Sequence, residues 1–252
     1  TLKRLVSRAL VIFPFEEPLL RDAGIPVDFV GHPLLELSAP TQSREAFLSA
    51  HRLRSDAPTV ALLPGSRPNE LAAILPKLTR AAQYIAERVP GAQFVVARAP
   101  DLDTALFAPL AGFAGTAPVV VEGRTDDVLG ASDVVLTASG TATVQTAIHQ
   151  RPMVIVYRLS TLTYRLVKAF SHVDDAGMVN LIAGERIVPE LIQDAFTPEA
   201  VADEAVSFLV DPVRAARTRA ALGEVCAKLG AVGASRRAAE RIFTVARGTK
   251  DG

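Results

Sequence analysis

A single cysteine, Cys226, stands among 252 residues. No internal disulfide framework can form, and the usage suits a reducing compartment. Cys226 lies in an Ala/Leu-rich helical pattern, which favours a buried, inert thiol over a nucleophile. Neither sign of charge is in excess: 27 Lys and Arg balance 27 Asp and Glu. There is no single-sign block, so nucleic acid is not expected as a partner. No apolar run approaches the ~18 residues that a membrane span needs. His32, His51, His149 and His172 are scattered without metal-ligand spacing, and no metal site is expected. Repeats, low-complexity tracts and a G-x-G-x-x-G fingerprint are all absent, and no cofactor is expected. What the chain has is apolar residues, 49% of the total, enough for a sizeable core.

The N-terminus superficially resembles a signal peptide, because basic residues precede the apolar run from Ala9 to Phe15. That run is short, broken by Pro14 and followed by Glu16-Glu17, so it reads better as a helix end feeding a buried strand. The chain opens on Thr1 with no initiator Met, and an upstream portion is expected.

Strands are predicted at 10–15, 27–30, 60–63, 93–97, 118–121, 134–136 and 152–157. Helices are predicted at 16–23, 44–52, 70–88, 101–110, 126–131, 142–149, 212–229 and 234–247. The polar segment 38–43 is the best linker. Continuous Val/Ile/Leu strands alternating with helices imply a parallel sheet covered on both faces, in a doubly wound, Rossmann-like α/β domain. Such sheets bind ligands beyond the carboxyl ends of their strands.

Two loops fall there. In Asp133 to Gln145 a short strand stops at Ala138-Ser139-Gly140-Thr141, and a helix follows. Glycine permits close backbone approach, and the first helical N–H groups are unpaired, so the turn suits an anion. On these residues alone an ordinary βα turn capped by Ser139 or Thr141 is an equal reading. The second loop, Pro64-Gly65-Ser66-Arg67 followed by Glu70, offers N–H groups and a forked, permanently charged donor. It is neither a Walker A loop nor a nucleophile elbow, and a solvated surface loop is the plainer alternative. Two anion-friendly loops on one sheet edge together suggest a diphosphate.

Asn180 is placed in a loop, as a cap or as a donor to a sugar or backbone, and Pro189-Glu190 is read as starting a helix. The segment 160–170 shows an apolar stripe compatible with a membrane surface or with packing on its own sheet. The adjacent pairs Glu16-Glu17, Asp126-Asp127 and Asp174-Asp175 read as caps and solvated faces, not dyads.

Phe13-Pro14-Phe15-Glu16, Val30-Gly31-His32-Pro33-Leu34, Leu62-Leu63-Pro64-Gly65-Ser66-Arg67 with Glu70, Ser139-Gly140-Thr141-Ala142-Thr143, and Asn180-Leu181 through Val188 to Gln193 occur here in order. This set resembles the lipid-A-disaccharide synthase family over nearly the whole chain. The resemblance implies a GT-B glycosyltransferase: one nearly complete Rossmann-like domain at 37–230 holding a UDP-sugar, and a remnant of the acceptor-binding domain at 1–36. The terminal segment 231–252 is expected to return toward the N-terminal domain, most of which is expected to be missing, leaving its apolar face bare. The reaction implied joins UDP-2,3-diacylglucosamine to 2,3-diacylglucosamine 1-phosphate (lipid X), releasing UDP, on the cytoplasmic side of the inner membrane. A homodimer is admitted by the same resemblance.

By this resemblance Gly65, Ser66, Arg67 and Glu70 face the diphosphate or its sugar. Ser139, Gly140, Thr141 and Ala142 cradle the phosphates, with Gln145 beyond them. Arg67 and Asn180 are the candidate catalytic residues, and the general base is expected in the missing N-terminal half, so the fragment alone should not turn over. The family usually carries Glu where this chain has Gln145, which leaves one carbonyl acceptor and puts a ribose contact in doubt. Another GT-B enzyme, such as a UDP-N-acetylglucosamine 2-epimerase, and a non-catalytic nucleotide-binding module remain the alternatives.

Overall fold

The computed structural model describes residues 2–113, 115, 117–158 and 177–248. The stripe at 160–170 and the pair Asp174-Asp175 lie outside them. Two sheets form. The small one pairs β1 (Ala9–Val11) with β2 (Val27–Phe29) in parallel, with α1 (Glu16–Asp22) between them. After α2 (Leu34–Leu37) and α3 (Arg44–Ala50) comes a six-stranded parallel sheet. Its strands are β3 (Thr59–Leu63), β4 (Gln93–Arg98), β5 (Val119–Glu122), β6 (Val134–Ala138), β7 (Met153–Tyr157) and β8 (Glu190–Ile192).

The helices that cover this sheet are α4 (Pro68–Arg88), α5 (Thr125–Ala131), α6 (Thr141–Ile148), α7 (Met178–Ala183), α8 (Pro198–Val210) and α9 (Pro212–Lys228). Alternation along each strand sends side chains to opposite faces. Val60, Leu62, Val134, Leu136, Val154 and Val156 join the layer under α4 and α8. Ala61, Leu63, Val135, Met153 and Ile155 join the layer that includes residues of α3, α5, α6, α7 and α9. On α4, Leu71, Ile74, Leu75, Leu78, Ala82 and Ile85 are all but fully buried, the spacing of one helix face. Each of the Leu and Ile side chains contributes roughly 1.5–3 kcal/mol by leaving water.

Several sequence expectations need correction. Residues 101–110 are not an α-helix but lead into a 3₁₀ helix at Thr104–Gly112, with Pro109 inside it. Proline lacks the N–H that an α-helical ladder needs. The first strand ends at Val11, because Phe13 to Phe15 form a turn whose Phe13 N–H is held by Glu16 Oε2 at 3.1 Å. Phe13 stacks on Phe15 and against His32, at centroid distances of 5.5 and 5.1 Å, so the first two quoted motifs pack on each other. Burial among these groups lowers the pKa of His32. Residues 190–192 form edge strand β8 rather than helix, and α8 is a helix that the sequence reading did not include.

Segment 38–43 is pinned down. Asp127 is buried, not a solvated face: it accepts from Thr41 N–H (2.7 Å), Thr41 Oγ1 (2.9 Å), Gln42 N–H (3.2 Å) and Arg124 Nε (2.9 Å). Burial raises its pKa, but the bonds from Thr41 and Arg124 outweigh it and hold the carboxyl below its ordinary value.

The last helix, α10 (Ala234–Ala246), lies against the small sheet. Glu36 accepts from Gly233 and Ala234 N–H at its start, and Arg237 Nε donates to Val30 O at 2.9 Å. Ile242 and Phe243 stay more than half exposed.

Cys226 on α9 donates to Ala147 O at 3.1 Å, and burial pushes its thiol up from 9.0 to about 11. Because the folded-state value is raised, the neutral thiol favours folding below pH 9, and that contribution is lost as pH rises toward 11. Alkylation with iodoacetamide at pH 8 should therefore be at least tenfold slower in the native chain than in urea. Equal rates would show that the thiol is not shielded.

Candidate functional site

Strand order in the large sheet is β5-β4-β3-β6-β7-β8. The chain runs outward from β3 through β4 to β5, then returns to pair β6 on the other side of β3. Loops leaving β3 and β6 therefore diverge to opposite faces and open a crevice between them, the place where such sheets bind ligands. Here that crevice is a cleft of about 340 Å³.

Its lining includes Gly65, Ser66, Arg67 and Glu70 from the β3–α4 connection, and Ser139, Gly140, Thr141, Ala142 and Gln145 from the β6–α6 connection. All nine candidate binding residues are brought together. Thr125, at the start of α5, and Ala97 and Ala99, at the end of β4, also line it. These were not singled out in the sequence; the start of α5 directly after β5, at the same edge of the sheet, is the signal that could have found Thr125.

Both connections end in helix N-termini without a side-chain cap: Arg67 precedes α4 and Gly140 precedes α6. Helices α3, α8 and α9, by contrast, are capped by Ser43, Thr197 and Asp211. Thr141 and Ala142, at the positive end of the α6 dipole, line the cleft, while the Thr143 N–H is taken by Gly140 O at 3.0 Å. Thr143 Oγ1 turns back to Gly140 O at 2.7 Å and stiffens the turn.

The glycines are needed for backbone conformation. Gly140 sits at φ 146°, ψ −160°, a region essentially confined to glycine. Gly65 has φ +114°, and a methyl there would lie 2.9 Å from Glu70 Oε2. Glu70 also pairs with Arg67 Nη1 at 3.1 Å, which orients the guanidinium across the mouth while leaving it largely exposed.

Asn180 is not brought to the cleft. It lies inside α7 rather than in a loop, and it is fully buried. Its Nδ2 donates to Val188 O (3.0 Å) and Glu190 Oε1 (2.6 Å), and its Oδ1 accepts from the N–H groups of Ile187 (2.9 Å) and Val188 (3.1 Å). An amide has two donors and two acceptor sites, and all four are used. Asn180 as placed clamps the loop before β8.

Among the described residues no group of His, Cys, Asp or Glu is placed to hold a metal ion, and no helix is long and apolar enough to cross a membrane.

The model of the lipid-A-disaccharide synthetase family matches residues 1–241. The chain belongs to this family. A lipid-A-disaccharide synthase from Geobacter metallireducens is 44% identical over 236 residues, covering 94% of this chain and 62% of the relative. The chain thus spans less than two thirds of that relative's length. Among solved structures, a UDP-GlcNAc 2-epimerase from Neisseria meningitidis bound to UDP-GlcNAc superposes with TM-score 0.64 at 12% identity, over 96% of this chain and 62% of that one. The calicheamicin glycosyltransferase CalG4 does so with TM-score 0.57 at 18% identity, over 97% and 53%. At such identities the likeness is one of fold. This member of the lipid-A-disaccharide synthase family has the GT-B α/β fold over the part these chains share with it.

Proposed function

We propose that this chain is the UDP-sugar-binding part of a lipid-A-disaccharide synthase. It would hold UDP-2,3-diacylglucosamine while the 6-hydroxyl of lipid X attacks the sugar, at the cytoplasmic surface of the inner membrane where both acyl-bearing substrates reside. The observation that carries the reading is the cleft at the switch point of the sheet, where two uncapped helix N-termini, two glycine turns and Arg67 converge.

The chemistry follows from that donor set. As the bond between the sugar and UDP breaks, negative charge accumulates on the departing diphosphate. Fixed N–H dipoles and a guanidinium stabilise that charge without having to reorganise. The acceptor hydroxyl must lose a proton as it attacks, which calls for a general base. An epimerase would need acid–base groups of its own in the cleft; the described lining residues include no His, and their one carboxylate, Glu70, is paired with Arg67.

Calorimetric titration with UDP tests the proposal. The chain should bind UDP, and Arg67→Ala should weaken binding about tenfold, the worth of one charge-assisted hydrogen bond at an exposed site. No heat of binding with the parent chain, or an unchanged affinity in Arg67→Ala, would remove the site assignment.

A further inference from the structure

Beside the amino end of edge strand β8 lies a second cavity, of about 600 Å³. All six strands of the sheet run parallel, so the segment 185–189 that enters β8 is at the opposite end from the loops that leave β3 and β6. The two cavities share no lining residue.

Positive charge gathers on one side of it. On α9, Arg214, Arg217, Thr218 and Ala221 follow at helical spacing and share one face, and all four line the cavity. Arg186 joins them from the loop before β8, and Glu204 from α8. Two of the three guanidiniums are held in place. Arg214 pairs with Glu204 and lies 4.3 Å over the Phe208 ring, and Arg186 Nη2 donates to Glu190 O. Each keeps further N–H donors, because a guanidinium has five. Arg217 has no hydrogen bond or ion pair to any described residue.

Thr218 adds an unsatisfied donor. It is more than nine-tenths buried and lines the cavity, yet its hydroxyl makes no hydrogen bond among the described residues. Threonine hydroxyls within helices commonly bond the carbonyl four residues back. Thr79, Thr146 and Thr244 do so here, at 2.9, 2.7 and 3.0 Å. Thr218 does not take Arg214 O, which leaves a buried hydroxyl one residue from the unpaired guanidinium. A phosphomonoester carries about −1.5 to −2 charge at neutral pH and has three acceptor oxygens, which suits several donors arriving from different elements. Val188, Pro189 and Leu191 give the same cavity an apolar side for the ester's organic part. Glu204 is already neutralised by Arg214, so among the lining residues only the exposed Glu185 opposes an anion.

We propose that this cavity is a second anion site, built for a phosphomonoester with an apolar substituent, in which Arg217 and the Thr218 hydroxyl hold the phosphate. The inference stands apart from the nucleotide reading of the first cleft.

Amide chemical-shift titration of the whole chain with phenyl phosphate tests it, because residues 214–221 report this cavity and residues 139–142 the first cleft. The signals of 214–221 should shift saturably. Arg217→Ala should weaken that binding about tenfold, and Thr218→Val about three- to tenfold, with the response of 139–142 unchanged. Glu185→Gln should tighten it about two- to fivefold. Inorganic phosphate, without the apolar part, should bind more weakly than phenyl phosphate. Thr218→Val should not lower the urea midpoint, because the hydroxyl has no bond to lose. Flotation with vesicles of phosphatidic acid or phosphatidylcholine distinguishes the sources of phosphate. A preference for phosphatidic acid that Arg217→Ala abolishes assigns a lipid headgroup; no preference, with phenyl phosphate still bound, assigns a soluble ester, and either sustains the site. Signals of 214–221 that do not respond overturn the proposal, as does a response that both variants leave unchanged. Should Thr218→Val lose stability and binding together, the exposed Arg217 decides, and parental affinity in Arg217→Ala overturns the proposal. Silence at 139–142 alone counts against the nucleotide cleft and not against this site.

Discussion

Asn180→Leu should cost about 3–5 kcal/mol of unfolding free energy, read as a lowered urea midpoint at unchanged slope. Leucine is close to asparagine in size, so the loss is one of hydrogen bonding rather than volume. Four bonds disappear at once. The N–H groups of Ile187 and Val188 lose their acceptor, and the buried carboxylate of Glu190 loses one of its donors. Each stranded buried polar group costs about 1–3 kcal/mol, and a buried charge deprived of a partner costs more.

The neighbourhood offers little relief. Gly177 N–H already donates to Glu190 Oε2 at 3.1 Å, and a methyl on Gly177 would come within 2.5 Å of Glu190 Oε1, so the carboxylate is closely packed. Where the variant is still folded, its UDP affinity should stay within twofold of the parent, because Asn180 does not line the cleft. A variant of parental stability but with lost nucleotide binding would reverse both halves of this expectation.

Gly140→Ala should reduce UDP affinity more than tenfold and lower stability by about 1–3 kcal/mol. Two separate effects act. The backbone at φ 146°, ψ −160° strains any residue with a Cβ. The added methyl would meet no atom of the described residues within 4 Å and would project beside the N-terminus of α6, over the N–H groups proposed to meet phosphate. The two effects are separable. Thermal unfolding of the free protein reports the strain, and pyrophosphate titration at a temperature well below unfolding reports the obstruction. Ser66→Ala, on the facing loop, leaves the glycine geometry alone and should cost no more than about threefold in affinity. Parental pyrophosphate affinity in Gly140→Ala would show that the backbone of this turn is not what the anion meets.

The parallel sheet was legible because hydrophobic continuity is a local signal. Five of its strands, β3 to β7, read directly from runs such as Val60–Leu63 and Val134–Leu136, and α4 from its spacing of Leu71, Ile74, Leu75 and Leu78. The two glycine turns were legible too, since backbone permissiveness belongs to the residue itself. β8 was not: three residues, Glu190 to Ile192, carry no period, and they are a strand only because β7 offers them a free edge. For the same reason Asn180 was misplaced. Its partners lie seven to ten residues on, in a loop and strand whose approach no local pattern announces.

Sequence alone thus determined the sheet class, the two anion-facing turns and their family resemblance, all properties of short stretches whose backbone preferences and apolar periods travel with the chain. Tertiary structure decided what each polar side chain is for. It gathered Gly65 to Glu70 and Ser139 to Gln145 into one cleft because β3 and β6 are neighbours at the switch point. It withdrew Asn180 into the core, and it set Asp126 against Gln145 across nineteen residues. A buried polar group takes whatever partner the fold brings within hydrogen-bonding distance, and that partner is chosen by packing, not by position along the chain.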